Sequence, residues 1–371
     1  MSKFYTLNKI KEFNATYNMI IGQRSNGKTY ATVSEGLEHA WKNSRQFAIV
    51  RRWADDFKGK RARTMFDGHI NNGEITRITQ GVWSDVQYTS GAWYWARYDE
   101  DIQRMVTSAE PFAYAFAITQ MEHDKSTSYP LIDIIIFDEF IARANQGYLP
   151  DEFVLFMNVV STIVRKRTDV VIYMLGNTVN QFCPYFAEMG LKHIKKQKEN
   201  TIDIYTYGES SLIVAVERCG VIADKDEKES NKYFAFDNPK LQMITGGAWE
   251  MEIYPHCPCK FTPKNIAYTY YIKFDGELLQ AEIVSCTDSE KGDLFFTYIH
   301  RKTTPIKKPK TDLIYSPEYN PQPNYRRKLN KPTNDTEKKI VWFFANDKVF
   351  YQDNEVGEII ANYLMWCNRN K

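Results

Sequence analysis

Eight residues near the start of the chain match the phosphate-binding loop pattern G-x-x-x-x-G-K-[ST], and this match constrains the fold more than any other feature. The loop consists of Gly22, Gln23, Arg24, Ser25, Asn26, Gly27, Lys28 and Thr29. An apolar run at residues 17–21 precedes it, as expected for a strand that leads into such a loop. We predict that the loop binds ATP, that Lys28 reaches the β- and γ-phosphates as a candidate catalytic residue, and that the Thr29 hydroxyl coordinates Mg²⁺. The alternative interpretation is a glycine-bearing turn with a surface lysine.

A second motif follows the almost continuous apolar stretch at residues 131–137, which is typical of a strand buried on both faces of a parallel sheet. Asp138 and Glu139 come directly after it. Open α/β sheets bind their ligands at the carboxyl ends of the strands. We therefore predict that Asp138 holds Mg²⁺ and that Glu139 polarises the water that attacks ATP. The alternative is a pair of acids at a solvated strand end.

Candidate strands alternate with helical segments through the first half of the chain, which predicts a parallel sheet with crossover helices. The strands are expected at residues 17–21, 47–51, 112–118, 132–137 and 170–175, and a helix from Thr29 to about Trp41. A candidate strand between the two motifs, and a glutamate directly after the aspartate, indicate an α/β P-loop NTPase of the additional-strand, catalytic-glutamate type.

The length of 371 residues suggests two domains, and the pattern changes after about residue 200. We predict an ATPase motor domain at residues 1–205, a linker at 206–245 and a smaller α+β domain at 246–371. In the smaller domain we expect a β-hairpin over residues 266–284 with an Asp-Gly turn, strands at 294–299 and 339–344, and a closing amphipathic helix at 357–366.

Composition excludes several classes of protein. A hydrophobic content of 43% and an aromatic content of 15% exclude general disorder. No run of 18 apolar residues offers a membrane span, and the N-terminal sequence has no apolar signal core, so we predict a cytosolic protein with no membrane partner. The His-Cys-Pro-Cys segment at residues 256–259 lacks the usual C-x₂-C spacing, so reduced thiols are expected rather than zinc.

Positive charge is unevenly placed, although the net charge is only +2. Basic clusters lie at residues 51–63 and 192–198, and the largest stretch, residues 301–339, holds eleven Lys/Arg against four acids. Tyr315, Tyr319 and Tyr325 are interleaved in it. Two interpretations stay open: a surface that binds a polyanion, or a solvated, proline-rich connector.

These segments together resemble the DNA-packaging (encapsidation) ATPases of small, protein-primed tailed phages, which are relatives of the large-terminase motors. Besides the phosphate-binding loop, the resemblance rests on segments that occur in order, at residues 48–52, 125–130, 136–141, 148–150, 164–167, 175–180 and 184–186. It covers most of residues 17–186 and is weak beyond residue 200. It implies a homo-oligomeric ring, expected to be a pentamer, that hydrolyses ATP and translocates double-stranded DNA into a procapsid. Such a ring would act at the portal vertex in the host cytoplasm.

The resemblance also assigns roles to individual residues. Besides the acidic pair described above, Arg165 stands where the family has an arginine finger that acts on the neighbouring subunit's ATP, with Arg167 as the nearby competitor. Lys125 matches a second basic residue at the subunit interface. Asn177, after the fifth strand, matches a position that senses the γ-phosphate. The alternatives are surface cations and an asparagine that turns a strand end.

Terminase-type motors carry a ribonuclease H-like nuclease in the second domain, which needs three or more carboxylates around two metals. Asp275 lies in an Asp-Gly turn, and the glutamates of residues 249–253 have no evident partner. We therefore predict a vestigial ribonuclease H-like domain, which in this family contacts a packaging RNA or the procapsid. One departure is Trp53-Ala54, where the family has a further basic residue after Arg51-Arg52.

Two other functions stay open from the sequence. One is a nucleotide-switched assembly protein that binds RNA or DNA, and the other is a cellular-type helicase or recombinase ATPase. Glu139 favours the motor, because a switch needs no water-polarising base. Helicase motifs beyond the nucleotide site are absent from the sequence.

Overall fold

The computed structural model describes residues 5–123, 127–142, 147–178, 180–220, 253–288 and 292–369. The chain divides into two compact units, Met1–Ala142 with Asp151–Trp249, and Arg143–Pro150 with Glu250–Lys371. Within the described ranges, none of the helices combines the length and the apolar character that a membrane crossing requires.

A ten-stranded sheet forms the centre of the first unit. Its strands are β1 (Tyr17–Gly22), β2 (Gln46–Arg51), β3 (Asp85–Thr89), β4 (Ala92–Asp99), β5 (Arg104–Thr107), β6 (Ala113–Ala117), β7 (Ile132–Asp138), β8 (Val171–Asn177), β9 (Thr201–Thr206) and β10 (Ile213–Arg218). Their order is β3-β4-β6-β2-β7-β8-β1-β10-β9, and β5 pairs with β4. Six neighbouring strands in this order are parallel to one another: β6, β2, β7, β8, β1 and β10. The predicted parallel sheet is therefore confirmed.

Helices accompany this sheet. They are α1 (Asn8–Lys11), α2 (Lys28–Asn43), α3 (Lys60–Arg63), α4 (Asp67–Asn71), α5 (Glu74–Ile78), α6 (Glu152–Val164) and α7 (Pro184–Glu188). The predicted helix after the phosphate-binding loop is α2, whose buried residues pack into the main core. Gly36 of α2 lies so close to strand β2 that an added Cβ would be 3.0 Å from the Phe47 ring. The helix can therefore pack tightly on the sheet.

Strand order brings the two sequence motifs together across one intervening strand. β8 lies between β1, which leads into the phosphate-binding loop, and β7, which ends in the acidic pair. The register pairs Gly22 with Asn177 and Asp138 with Leu175. Because the three strands are parallel, their carboxyl ends lie at one edge of the sheet.

Two parts of the first unit differ from the prediction. Strands β3, β4 and β5 add an antiparallel extension that the sequence did not predict. Strands β9 and β10 form an antiparallel pair, and β10 pairs in parallel with β1. The predicted linker start at residue 206 is therefore wrong, because this sheet continues to Arg218. Residues 221–245 of the predicted linker lie outside the described residues.

A six-stranded sheet forms the second unit, in the order β15-β14-β11-β12-β13-β16. Its strands are β11 (Ile266–Phe274), β12 (Glu277–Asp288), β13 (Gly292–Arg301), β14 (Ile314–Tyr315), β15 (Tyr325–Arg326) and β16 (Val349–Tyr351). The two helices are α8 (Asp335–Ala345) and α9 (Asn354–Arg369). The predicted hairpin, the strand at 294–299 and the closing helix are confirmed.

One predicted strand is wrong. Residues 339–344 belong to helix α8, because the Asn334 side chain accepts a hydrogen bond from the Glu337 backbone N–H and caps the helix. The glutamates of residues 249–253 lie outside the described residues.

Part of the basic stretch belongs to the sheet of the second unit. Tyr315 of β14 is fully buried, and β14 and β15 extend the sheet through parallel pairing. Part of the stretch is therefore structural, and its expected polyanion binding remains a prediction.

Candidate functional site

The phosphate-binding loop turns from β1 into α2 at two glycines. A Cβ added to Gly22 would lie 2.8 Å from the Cys219 Cβ, so only glycine fits here without a shift. Gly27 has φ +88°, a left-handed conformation that glycine adopts readily, and α2 begins at the next residue. The loop thus places the N-terminal end of a 16-residue helix beside it, where backbone N–H groups favour an anion.

Lys28 is held in place by acceptors of this loop and of β8. Its side chain Nζ donates to Gln23 O at 2.8 Å, to Gly22 O at 3.3 Å and to Asn177 Oδ1 at 3.1 Å. The residue is only 5% exposed, and burial lowers the pKa of its amine to about 8. The structure therefore brings Asn177 to the phosphate-binding lysine.

Asp138 lies at the end of β7 beside the loop. Its Oδ1 accepts a hydrogen bond from Thr29 Oγ1 at 3.2 Å, and its Oδ2 accepts one from Arg51 Nη2 at 2.5 Å. Burial opposes ionisation of Arg51, but the charges of Asp138 and Glu139 raise the pKa of its guanidinium. The two predicted metal ligands are thus adjacent, and their oxygens are of the kind that Mg²⁺ prefers. Arg51 is a site residue that sequence reasoning did not assign.

Glu139 is the exposed residue directly after β7, and its backbone has φ +60°. This left-handed conformation is uncommon for a glutamate. Arg52 fixes the backbone around it: Nη1 donates to Glu139 O at 3.2 Å and Nη2 donates to Phe140 O at 2.8 Å. The predicted catalytic carboxylate therefore projects from a backbone that is tied to the end of β2.

Arg52 and Glu152 form a buried ion pair that the sequence did not reveal. Arg52 Nε donates to Glu152 Oε2 and Arg52 Nη2 to Oε1, both at 2.8 Å. The two side chains are 8% and 0% exposed, and the Tyr185 hydroxyl also donates to Oε1 at 3.0 Å. Such bidentate pairs have a fixed geometry. The first residue of α6 is thus attached to the backbone that follows β7.

The two candidate arginine fingers lie in different surroundings. Arg165 is exposed directly after α6, where its Nη2 donates to Thr127 O at 2.9 Å. Arg167 is half-buried and pairs with Asp133 at 3.1 Å, an acid that Arg45 also contacts at 2.6 Å. Lys125 lies outside the described residues.

An N-terminal tyrosine, which sequence reasoning also missed, touches the phosphate-binding loop. The Tyr5 backbone N–H donates to Asn26 O at 3.1 Å. Its hydroxyl donates to Glu217 Oε2 at 2.6 Å. Burial raises the pKa of Glu217, and although this hydrogen bond lowers it, the pKa stays above its ordinary value. Tyr5 thus supports the loop from the side of β10.

Among its described residues, the second unit shows no cluster of acids that could bind catalytic metals. Asp275 lies in the hairpin turn between β11 and β12. Strands β11 and β14 contain no carboxylate. Throughout the ranges that the structure describes, no group of three or more His, Cys, Asp or Glu side chains is arranged to hold a metal ion.

Comparisons with known proteins give the family resemblance. A model of the podovirus DNA encapsidation protein (Gp16) family matches residues 103–214. The chain is 27% identical over 180 residues to the DNA packaging protein of Bacillus phage B103, and the aligned residues cover 48% of this chain and 49% of that protein. The predicted resemblance to the phage DNA-packaging proteins is confirmed. The corresponding protein of Bacillus phage PZA is 26% identical over 203 residues, or 54% of each chain, so the chain spans about half the length of these curated relatives.

Two solved structures share the fold over nearly the whole chain. The bacteriophage Phi-29 viral genome packaging motor assembly contains a chain with a TM-score of 0.56 and 19% identity, and 99% of each chain is covered. The Phi-28 gp11 DNA packaging motor gives a TM-score of 0.52 and 18% identity, with 99% of this chain and 98% of that chain covered. At this level of identity the likeness is one of fold.

Proposed function

We propose that the protein is an ATP-hydrolysing motor that translocates double-stranded viral DNA into a procapsid. The observation that carries this proposal is the meeting of Lys28, Thr29 and Asp138 at the carboxyl ends of β1 and β7, with Glu139 as the next residue. Phosphate binding, metal binding and a candidate base thus share one edge of the sheet. The relatives named above are DNA packaging proteins, which supports the choice of duplex DNA as the transported molecule.

The residues present fit ATP and Mg²⁺. The backbone N–H groups of residues 22–29 and the Lys28 amine would hold the phosphates, and Thr29 and Asp138 would hold the metal ion. The Asn26 Nδ2 group is buried without a hydrogen-bond partner, as expected of a loop that has a polar ligand to satisfy it. When bound, Mg²⁺ supplies positive charge that stabilises the phosphoryl group in transfer. Glu139 would accept the proton of the attacking water, and Asn177 would respond through Lys28.

The position of β8 supports assignment to the additional-strand, catalytic-glutamate class. A strand between the phosphate-loop strand and the acidic strand is the feature for which the class is named, and β8 occupies that place. The glutamate that follows the metal-binding aspartate is Glu139. Together they favour hydrolysis over simple binding of the nucleotide.

We also propose that the motor is a homo-oligomeric ring, with five subunits, at the portal vertex of a procapsid in the host cytoplasm. Arg165 would then serve the ATP of a neighbouring subunit, where it stabilises the negative charge of the transition state. Its exposure favours this role over Arg167, whose guanidinium pairs with Asp133 in its own subunit. Lys125 is proposed for the same interface on the resemblance alone.

The second unit is proposed to be a vestigial ribonuclease H-like domain that contacts a packaging RNA or the procapsid. Its three antiparallel strands β11, β12 and β13 are extended beside β11 by two parallel strands, β14 and β15. This arrangement supports the assignment, and the acid-free strands β11 and β14 argue against nuclease activity. The basic residues between 301 and 339 supply charge for such a contact.

The decisive experiment measures phosphate release by the purified protein alone, with duplex DNA, and with DNA plus procapsids. A motor should hydrolyse ATP fastest with both, and Lys28→Ala should abolish turnover. Turnover that neither DNA nor procapsids increase would contradict the motor and favour a nucleotide-switched assembly protein. Stimulation by DNA without any response to procapsids would instead favour a helicase or recombinase.

A further inference from the structure

The second unit contains a cavity of about 500 Å³ with an unusual lining. Four cationic side chains and one indole surround it: Arg326, Arg327, Lys328, Lys331 and Trp366. No carboxylate is among these lining residues. The volume lies within the range of about 300–1,000 Å³ that is common for small-ligand sites. The cavity therefore suits an anionic ligand with an apolar or aromatic part.

One of the four cations is a fixed part of the wall. Arg326 Nε donates to Glu337 Oε1 at 2.8 Å, and the Glu337 side chain is only 1% exposed. Arg326 Nη1 also donates to Pro323 O at 2.6 Å. The charge of Arg326 is thus balanced inside the fold, and this residue holds the wall in place rather than serving a ligand.

Arg327 has no such balance among the described residues. Arg327 uses its Nε to donate to Pro317 O at 2.8 Å, and across the described ranges no carboxylate pairs with its guanidinium. Desolvation, and then the charges of Lys331 and Arg327, lower the pKa of Lys328. Three cations of the cavity therefore repel one another, and a bound anion would relieve this repulsion.

Trp366 is held in place beside these charges. Its ring stacks on the Tyr363 ring, with a centroid distance of 6.3 Å and an interplanar angle of 12°. The Tyr363 hydroxyl donates to Arg327 O at 3.0 Å, and the Arg327 guanidinium carbon lies 5.5 Å from the Trp366 ring centroid. The aromatic surface of Trp366 on helix α9 thus lies next to the positive charge of Arg327.

We propose that this cavity binds an unpaired nucleotide of a single-stranded nucleic acid. Arg327, Lys328 and Lys331 would contact the phosphates, and the base would pack against Trp366. A nucleotide supplies both an anion and an aromatic ring, whereas an acidic peptide supplies only the anion. In a duplex the bases are stacked on each other and unavailable to the indole. The inference rests on the proposed nucleic-acid contact of this unit and specifies where, and in which form, the strand binds.

The test uses fluorescence anisotropy of the full chain with labelled oligouridine, oligodeoxythymidine and a blunt DNA duplex of equal length. Trp366→Leu should weaken binding of single strands by about 10-fold, since stacking on an aromatic side chain contributes this much per base, and should leave duplex affinity unchanged. Arg327→Gln/Lys328→Gln should weaken single-strand binding by at least about 10-fold. It should also reduce the slope of log affinity against log salt by about 1.4, or about 0.7 for each lost phosphate contact.

The matched control is Lys307→Gln/Lys308→Gln, which removes two exposed cations of the same basic stretch outside the cavity. It should change single-strand affinity by less than about 2-fold, since screened charges away from a site contribute little. Thermal melts followed by circular dichroism verify that each variant folds. Arg327→Gln/Lys328→Gln tests the site even if Trp366→Leu does not fold.

Three outcomes would overturn the inference: equal losses for single strands and duplex, a control as weak as the pocket variants, or polyglutamate that competes as well as oligouridine. A preference for oligouridine or for oligodeoxythymidine identifies the strand, and either supports the site. Lys28→Ala should lose ATP turnover and keep single-strand affinity. The experiment therefore distinguishes a failure of the proposed nucleotide-binding cavity from a failure of the proposed motor function.

Discussion

The buried pair of Arg52 and Glu152 gives the sharpest test of how the candidate base is positioned. Arg52→Met removes a guanidinium whose side chain is 8% exposed and leaves the fully buried Glu152 carboxylate without its cation. Breaking a buried pair from one side costs about 3–5 kcal/mol. We expect this loss in the free energy of unfolding, measured by urea denaturation. ATP turnover should fall as well, because two of the hydrogen bonds of Arg52 hold the backbone of Glu139 and Phe140.

The double variant Arg52→Met/Glu152→Leu separates stability from positioning. It removes the unpaired charge, so the remaining cost should be about 1–3 kcal/mol for each of two buried groups that lose a partner, the Phe140 carbonyl and the Tyr185 hydroxyl. Turnover should nevertheless stay about 10- to 100-fold below that of the wild type, since a misplacement of about 1 Å at a catalytic group costs up to about 100-fold. The KM for ATP should change little, because Lys28 is untouched.

The assay is phosphate release at saturating ATP, and the matched control is Arg45→Met. Arg45 forms a partly buried pair with Asp133 at the opposite ends of the same two strands, β2 and β7. This control should lower stability and leave turnover close to that of the wild type. A double variant that regains both its stability and a wild-type kcat would refute the positioning argument.

Three further predictions concern the nucleotide site. Glu139→Gln should bind ATP normally and hydrolyse it at least ~10²-fold more slowly, as single-turnover measurements can show; near-normal turnover would place the base elsewhere. Arg165→Ala should lower turnover by about 10³-fold, and mixing these subunits with Glu139→Gln subunits should restore part of the activity. If mixtures with Arg167→Ala recover activity and mixtures with Arg165→Ala do not, the arginine finger is Arg167. Affinity for ATP should fall as the pH rises above about 8, where Lys28 loses its proton. Between the folded pKa of about 8 and the ordinary value of 10.5 the unfolded chain binds more protons than the folded one, so Lys28 makes stability rise over this pH range. The titration of Lys28 therefore cannot cause a fall in affinity through unfolding, and an affinity that stays flat would contradict the assignment.

Much of the first unit could be predicted because its central strands are buried on both faces. Such strands read as continuous apolar runs, and the two motifs at their carboxyl ends were expected to converge. Thr29 and Asp138 do lie within hydrogen-bond distance. The antiparallel extension at β3 and β5 could not be found in this way, because these strands are short and mostly exposed or half-buried.

Other errors have local causes. Residues 339–344 contain a run of β-branched and aromatic side chains, which favours a strand, but Asn334 and Glu337 start a helix before that run. This capping signal was present in the sequence. The pairing of Arg52 with Glu152 was not, because the two residues are separated by 100 positions and no periodicity connects them. Contacts of this kind are set by the tertiary fold.

Helix α6 gives the first unit the geometry of a lever. Its 13 residues span about 20 Å at about 1.5 Å per residue, from Glu152 at one end to Arg165 directly after the other. A rod of this length that tilts by about 5° moves its far end by ~1.7 Å. At the near end, Glu152 pairs with Arg52, which donates a hydrogen bond to the backbone carbonyl of Glu139. If Arg165 does reach a neighbouring subunit, as proposed, we expect a force on it to act through α6 and the Arg52–Glu152 pair on the backbone that carries Glu139.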